Sequence, residues 1–347
     1  MKRKALQVLK ISIRLVLVWI AIGLIFPTWT PRIEGDNSIS SLRQVMINGT
    51  GHEVMIRGVD RRNPILIFVH GGPGCSEIPY VTKYQDILEQ HFTIVHYDQR
   101  GSGKSYHFFE DYSHLTTDVL VDDLLALTDY VEGELGQPKV LLIGHSFGTY
   151  IGMKAAAKAP SKYAAYIGIG QVGDHVMSET DSLNFVIDQA KNAGNQDDAK
   201  LAEQLRESIM QKEASTPRTL IRKYGGAARV IDDNLDYYTG FVFHPEYNLF
   251  DVIRYVRGVA VSQPTLLEEE AHANLPQIVR KLDIPAYFVM GQYDFMTSVH
   301  AAKVYFEELT APKKEFVIFP KSAHYPQFEE KEAFAKWLVQ TWSELAS

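Results

Sequence analysis

Val140-Leu141-Leu142-Ile143 runs straight into Gly144-His145-Ser146-Phe147-Gly148, and a helix-compatible segment from Thr149 to Lys158 follows at once. A strand that becomes a helix within five residues must double back sharply, and a serine at the apex between two glycines is the pattern of a nucleophile elbow. The glycines answer a steric demand, since side chains there would collide with the strand or the helix. The turn forces the serine into a strained conformation that leaves its hydroxyl exposed at a helix N-terminus. Five residues alone also fit an ordinary strand-to-helix turn, so the context decides.

The context is a strand–helix rhythm. Val45-Met46-Ile47 and Val54-Met55-Ile56 flank Asn48-Gly49-Thr50-Gly51, which predicts a hairpin. Ile65 to Val69 is a continuous apolar run, as in strands buried on both faces, and it ends in His70-Gly71-Gly72-Pro73-Gly74. Tyr80 to Gln90 has helical spacing, Phe92 to Asp98 reads as a strand, and Thr117 to Leu135 as an amphipathic helix with Asp118, Asp122 and Asp123 near its positive end. Tyr163 to Ile169 supplies another strand. From about Gln171 the rhythm breaks into polar and aromatic helical stretches, then resumes with Ala286 to Met290, Val299 to Leu309, Glu315 to Phe319 and a closing helix over about Glu329 to Leu345. The expected architecture is a doubly wound, mostly parallel sheet over residues 42–170 and 284–347, with an all-helical cap inserted at 171–283.

The first 31 residues are read as a basic N-terminus and a transmembrane anchor, and 32–41 as a linker. Five of the first fourteen residues are Lys or Arg, whereas Leu15 to Phe26 carries no charge. Ile11 to Trp29 nears the length needed to span a bilayer, Arg14 can snorkel, and no small-residue cleavage site follows. The positive-inside rule then leaves the bulk of the chain on the extracytoplasmic side.

Composition narrows the chemistry. A net charge of −7 offers no basic face for nucleic acid, and Cys75, the single cysteine, cannot form an internal disulfide. No His/Cys cluster has metal-ligand spacing, so no metal or other cofactor is implied. Gly103-Lys104-Ser105 suggests a phosphate-binding loop, but the full pattern needs glycine where Asp98 stands, and nucleotide binding is rejected.

Ser146, Asp294 and His324 all follow expected strand ends, where open α/β sheets bind ligands. Their order along the chain is that of the α/β-hydrolase fold. His324 is the candidate base for the Ser146 hydroxyl, and Asp294 the group that orients the imidazole. Oxyanion donors are expected from the backbone of Phe147 and from Gly71 or Gly72, where the missing side chain lets the carbonyl oxygen approach.

His-Gly-Gly-Pro-Gly at 70–74, Asp-Gln-Arg-Gly-Ser-Gly-Lys-Ser at 98–105, Gly-His-Ser-Phe-Gly at 144–148, Gly-Gln-Tyr-Asp at 291–294 and His324 together resemble the prolyl iminopeptidase branch of the α/β hydrolases. That resemblance covers about residues 42–345. It implies release of an N-terminal residue, often proline, from a short peptide through an acyl-enzyme, with acidic cap side chains holding the free amine. Glu179, Asp232, Asp233, Asp236 and Glu268 to Glu270 are candidates for that role by charge. Tyr237 is a candidate pocket residue beside them; it and Tyr238, Phe241 and Phe243 either line an apolar pocket or pack the cap core, and core packing is the stronger expectation. A carboxylic-ester hydrolase using the same triad is the rival expectation, and a catalytically silent scaffold on the same fold a more distant one.

Overall fold

The computed structural model of the chain describes residues 2–346. Eight strands form one sheet in the order β1-β2-β4-β3-β5-β6-β7-β8. β1 (Ile39–Ile47) and β2 (Thr50–Gly58) are the expected hairpin, closed by Asn48 and Gly49 at positive φ, as a tight two-residue turn demands. β2 pairs antiparallel with β4 (Thr93–Tyr97), and every later pairing is parallel, through β3 (Ile65–Val69), β5 (Val140–His145), β6 (Tyr163–Ile169), β7 (Ala286–Gly291) and β8 (Lys314–Phe319).

The apolar run in β3 explains itself in the packing. Ile65, Ile67 and Val69 point to one face, where they meet Leu124, Leu127 and Val131 of one helix and Ile151 of another. Leu66 and Phe68 point to the other face, packed with Phe334 and Leu338. With period two and both faces covered, a strand has no polar positions left.

α1 (Lys2–Ile25) precedes the sheet, α2 (Thr117–Leu135) and α3 (Phe147–Lys158) flank it, and α4 (His175–Asn192), α5 (Gln196–Gln204), α6 (Arg206–Met210), α7 (Arg218–Lys223), α8 (Asp233–Phe243), α9 (Leu249–His272) and α10 (Leu275–Ile278) intervene between β6 and β7. α11 (Val299–Glu308), α12 (Pro326–Glu329) and α13 (Lys331–Ala346) complete the chain. α2 starts on Thr116, whose side chain accepts from Val119 N–H, and stops at Gly136 in the left-handed region.

Two expectations need correction, and a third finds no support. Residues 80–90 form two short 3-10 turns, Val81–Lys83 and Leu88–Gln90, separated by chain that packs polar groups inward. The linker is shorter than 32–41 because β1 already begins at Ile39, where pairing with Gly58 satisfies the backbone. The expected transmembrane helix is the one without support. Among the described residues no helix is long and apolar enough to cross a membrane. α1 ends at Ile25 rather than Trp29, and its charge-free run from Leu15 to Ile25 would cover roughly 16 Å against a hydrocarbon core of about 30 Å. The side chains of Trp19, Ile20 and Ile25 within that span lie outside the described ones.

Candidate active site

Because β3, β5, β6, β7 and β8 run parallel, the residues that follow them, His70, Ser146, Gly170, Asp294 and His324, all emerge at one edge of the sheet. Ser146 sits between β5 and α3 at φ 56° and ψ −128°, a conformation a non-glycine residue holds only under constraint. The constraint is the packing of the elbow. A Cβ on Gly148 would lie 1.9 Å from Val69 O, so the helix can approach β3 only because that residue is glycine. Ser146 N–H donates to Ile169 O (2.9 Å), which ties the apex to the end of β6.

His324 and Asp294 meet beside that apex. His324 Nδ1–H donates to Asp294 Oδ2 at 2.8 Å, with both side chains buried. Asp294 is itself held. Its Oδ1 accepts from Met296 N–H (2.9 Å) and Thr297 N–H (3.0 Å), and its Oδ2 from the Thr297 hydroxyl (3.1 Å). A Cβ on Gly170 would stand 2.8 Å from His324 Cε1, so the imidazole lies against the residue that follows Ile169. Burial pulls the His324 pKa down, the Asp294 carboxylate pulls it up, and the net shift is below the usual imidazole value. The neutral base needed to accept a proton is therefore the resting form.

The glycine loop touches the serine directly. A Cβ on Gly71 would be 2.7 Å from Ser146 Cβ and 3.2 Å from its Oγ, so the backbone there comes as near the nucleophile as a donor must. The loop is held by the second glycine-rich motif. Gln99 Nε2 donates to His70 O (2.6 Å), Gln99 N–H donates to His70 Nε2 (3.1 Å), and His70 Nδ1–H donates to Gly71 O (2.9 Å). This pattern requires a neutral ring, and burial pushes the His70 pKa down to about 4. Asp98 anchors the rest of that motif by accepting from Lys104 N–H and the Tyr247 hydroxyl, each at 2.6 Å. Lys104 Nζ donates to Glu53 Oε1 (2.6 Å), so the lysine of Gly-Lys-Ser is engaged by a buried carboxylate.

Beneath the triad lies a second imidazole. His145 Nε2 donates to His324 O (3.0 Å) and His145 Nδ1 faces Glu77 Oε1 at 2.6 Å. A carbonyl oxygen only accepts, so Nε2 carries a proton. Burial alone lowers the His145 pKa, yet the Glu77 carboxylate outweighs it and the net shift is upward. For Glu77 burial pushes up, His145 pulls down more strongly, and the net shift is downward. The pair is thus an imidazolium and a carboxylate, with both ring nitrogens donating.

The cap candidates separate by their partners. Asp232 is exposed at the N-cap of α8, where its carboxylate accepts from Leu235 N–H, a local helical role. Glu179 is buried and already saturated, accepting from Arg218 at 2.5 Å and from Thr216 N–H at 2.7 Å. Asp233 accepts from Arg222, Asp236 from Lys83, and Glu269 from Thr117 N–H, while Glu268 is exposed. Glu270 is half-buried, and no hydrogen bond or ion pair among the described residues engages its carboxylate. Burial raises its pKa to about 7, against the pull of Arg218, whose charge also reaches His324. Tyr237 packs on Tyr80 (4.7 Å between ring centroids) and Tyr255 (5.8 Å), beside Cys75 at the end of the glycine loop.

Sequence reading missed Glu77, Gln99 and Glu329. Gln99 stood inside a motif already noted for its glycines. Glu77 had no local signal because its partner is 68 residues away, and Glu329, which also accepts from nearby Ala323 N–H, meets its cap partners 99 and 100 residues away in the chain.

The model of the α/β hydrolase fold matches residues 64–331. A Bacillus subtilis protein named "Probable aminopeptidase YbaC" is 30% identical over 320 residues, which cover 88% of this chain and 97% of that protein. A proline iminopeptidase of Heyndrickxia coagulans is 23% identical over 304 residues, 83% of this chain and 94% of the relative. The crystal structure of the proline iminopeptidase of Mycobacterium smegmatis superposes with a TM-score of 0.64 at 17% identity, covering 88% of this chain and 98% of that one. With the elbow, the His–Asp contact and the glycine loop at one sheet edge, these likenesses mean that the chain belongs to the α/β-hydrolase family, within its prolyl iminopeptidase-like branch.

Proposed function

We propose that this chain is a serine aminopeptidase that releases an N-terminal residue, proline among them, from short peptides. The observation that carries the reading is the 2.8 Å contact between His324 Nδ1 and Asp294 Oδ2 beside a serine in a constrained elbow. Relatives named aminopeptidase and proline iminopeptidase support the substrate class. Ser146 Oγ attacks the scissile carbonyl carbon while His324 Nε2 takes the hydroxyl proton. Asp294 stabilises the imidazolium that results. Negative charge on the carbonyl oxygen is received by Phe147 N–H and by Gly71 or Gly72 N–H. The C–N bond breaks as His324 returns its proton to the leaving amine, and water repeats the sequence to free the acyl group.

In this reading helices between 171 and 283 act as a cap over a core of 42–170 and 284–347, and Glu270 receives the substrate's free amine. Glu179 and Arg218 neutralise one another, so Glu270 supplies the net charge an ammonium group needs. Tyr237 shapes the pocket nearby.

A serine-directed fluorophosphonate probe is expected to label wild-type protein and not Ser146→Ala, with kcat/KM falling about 10⁴-fold or more. A folded wild type that resists labelling rejects the triad. Aminoacyl amides with a free N-terminus, proline amides included, are expected to be cleaved faster than N-blocked amides or short acyl esters; faster ester turnover favours the ester-hydrolase reading. Glu270→Gln is expected to raise KM for free-amine substrates about tenfold or more and leave N-blocked ones unchanged.

The same reading places α1 in a membrane, with the catalytic part on the extracytoplasmic side. Leu15, Val16, Leu17 and Val18 are four consecutive exposed residues, so around this point the helix is bare on every side. Lys10 and Arg14 lie on the N-terminal side, where their long stems let the charges snorkel. Protease shaving of intact cells is expected to digest the catalytic part; protection of it rejects this orientation.

A further inference from the structure

The segment after α1 is fastened to the cap. Trp29 N–H donates to Pro245 O (3.1 Å), Asn248 Nδ2 donates to Phe26 O (2.9 Å), and the Thr30 hydroxyl donates to Glu246 Oε1 (3.0 Å). Lys104 Nζ bridges the same two strips of chain, donating to Thr28 Oγ1 (2.7 Å) and Glu246 O (3.3 Å). A Cβ on Gly23 would lie 2.8 Å from Leu249 Cδ1, so the last turn of α1 rests on the first residue of α9. Wherever α1 is held, the start of α9 is held with it.

Around this joint the cap turns apolar side chains outward. Ile253 and Val256 follow Leu249 at i+4 and i+7, a single stripe reaching about 10 Å along α9 from the contact with α1. Val256 is 61% exposed, Phe243 at the end of α8 is 78% exposed, and Trp29 is 49% exposed. Phe26 is half exposed beside them. Arg257, next to Val256, is exposed and has no ion-pair or hydrogen-bond partner among the described residues. An apolar face of this kind on a folded chain marks a contact surface.

We propose that this face, made of Phe26, Trp29, Phe243, Ile253 and Val256 with Arg257, is a lipid-docking surface that lies in the headgroup region of the bilayer α1 enters. The proposal rests on the membrane reading of α1 given above. A bilayer is the occupant because the face continues from α1, whose residues 15–18 are exposed all round, and because aromatic and aliphatic side chains beside an unpaired arginine match the apolar boundary and the phosphates of lipid. The opposite side of α9 rests on the catalytic loops. Ser262 Oγ donates to Gly101 O (3.0 Å), and a Cβ on Gly74 would stand 3.3 Å from Val259 Cα. α9 therefore has lipid on one side and the His70–Gly74 loop on the other.

The test uses full-length protein in vesicles of phosphatidylcholine and phosphatidylglycerol, carrying an environment-sensitive fluorophore at Leu15→Cys, Phe243→Cys, Val256→Cys or Leu201→Cys in a Cys75→Ser background. Leu201, exposed on α5, reports a part of the cap away from the face. Emission from positions 15, 243 and 256 is expected to shift to the blue and to be quenched by spin-labelled lipid, while position 201 is not. Quenching at 15 with water-like emission at 243 and 256 overturns the docking surface and leaves the anchor standing. A blue shift at 243 and 256 without lipid quenching means that a protein covers the face, which also overturns the proposal. Absence of quenching at all four positions rejects the anchor and the docking surface together.

Discussion

In the proposed reaction His324 serves as the base, and its burial decides at what pH it can do so. Its pKa lies below the ordinary imidazole value, so the imidazole remains neutral into mildly acidic solution. A protonated His324 cannot take the Ser146 proton, so activity is lost as pH falls through that lowered pKa. The acid limb of kcat/KM is expected to have its inflection below about 6.5, read from a pH–rate profile on an N-blocked substrate, whose binding does not call on Glu270. Part of the depression comes from His145 beneath it, whose ring centroid is 4.8 Å from that of His324 and whose positive charge opposes a second one. Glu77 keeps that charge in place. In Glu77→Gln the amide can donate to a neutral His145, so folding is retained while the charge disappears, and the acid limb is expected to move to higher pH. Glu77→Ala leaves the imidazolium without its partner and is expected to cost about 3–5 kcal/mol of stability, measured by urea unfolding. An unmoved acid limb in Glu77→Gln would assign the pair a purely structural role.

At the scale of elements, the loop that carries His324 is clamped from the cap side. His324 N–H donates to Ala227 O (2.9 Å), and Glu329 of α12 accepts from Ala323 N–H (2.6 Å), Val230 N–H (2.7 Å) and Arg229 N–H (2.5 Å). One carboxylate thus joins the base's loop to the segment before α8. Glu329→Ala strands three buried or half-buried donors and is expected to destabilise the fold by about 3 kcal/mol. It is also expected to lower kcat more than it raises KM, since the ring loses its support while the pocket remains, and steady-state kinetics with a thermal melt separates the two. A melt unchanged from wild type would mean that water replaces the carboxylate without cost.

Across the whole molecule, the N-terminal strip is part of the fold. Arg57 donates to Glu89 Oε1 (2.6 Å), to Thr30 Oγ1 (2.7 Å) and to Pro31 O (2.5 Å) while nearly enclosed, so one side chain joins β2, the turn after residue 87 and the strip that follows α1. Arg57→Ala leaves Glu89 buried and unpaired and is expected to cost about 3 kcal/mol or more. It is also expected to speed tryptic cleavage at Arg32, just beyond the released strip, relative to cleavage elsewhere. Equal rates at Arg32 in the two proteins would show that the Trp29 and Asn248 contacts hold the strip unaided.

The features legible in the sequence are those whose causes are local. The parallel strands follow from apolar runs with both faces covered, the hairpin from Asn48-Gly49, α2 from its cap and period, and the elbow from glycines forced by close approach. The positions of Ser146, Asp294 and His324 after strands follow from the same periodicity, since parallel strands deliver their C-terminal residues to one edge. Tertiary structure decided what depends on distant partners. Tyr80 to Gln90 has helical spacing, but packing breaks it into two turns. Glu179 and Glu270 are alike as letters, yet Glu179 is buried and saturated by Arg218 and Thr216, while Glu270 is half-buried with no hydrogen bond among the described residues. The elbow pattern leaves the position of His145 open, and its role comes from Glu77, 68 residues earlier, 2.6 Å from its ring. Local pattern determines which elements form and where their ends fall; the field and hydrogen bonds at a buried atom are set by whichever remote residues the fold brings against it.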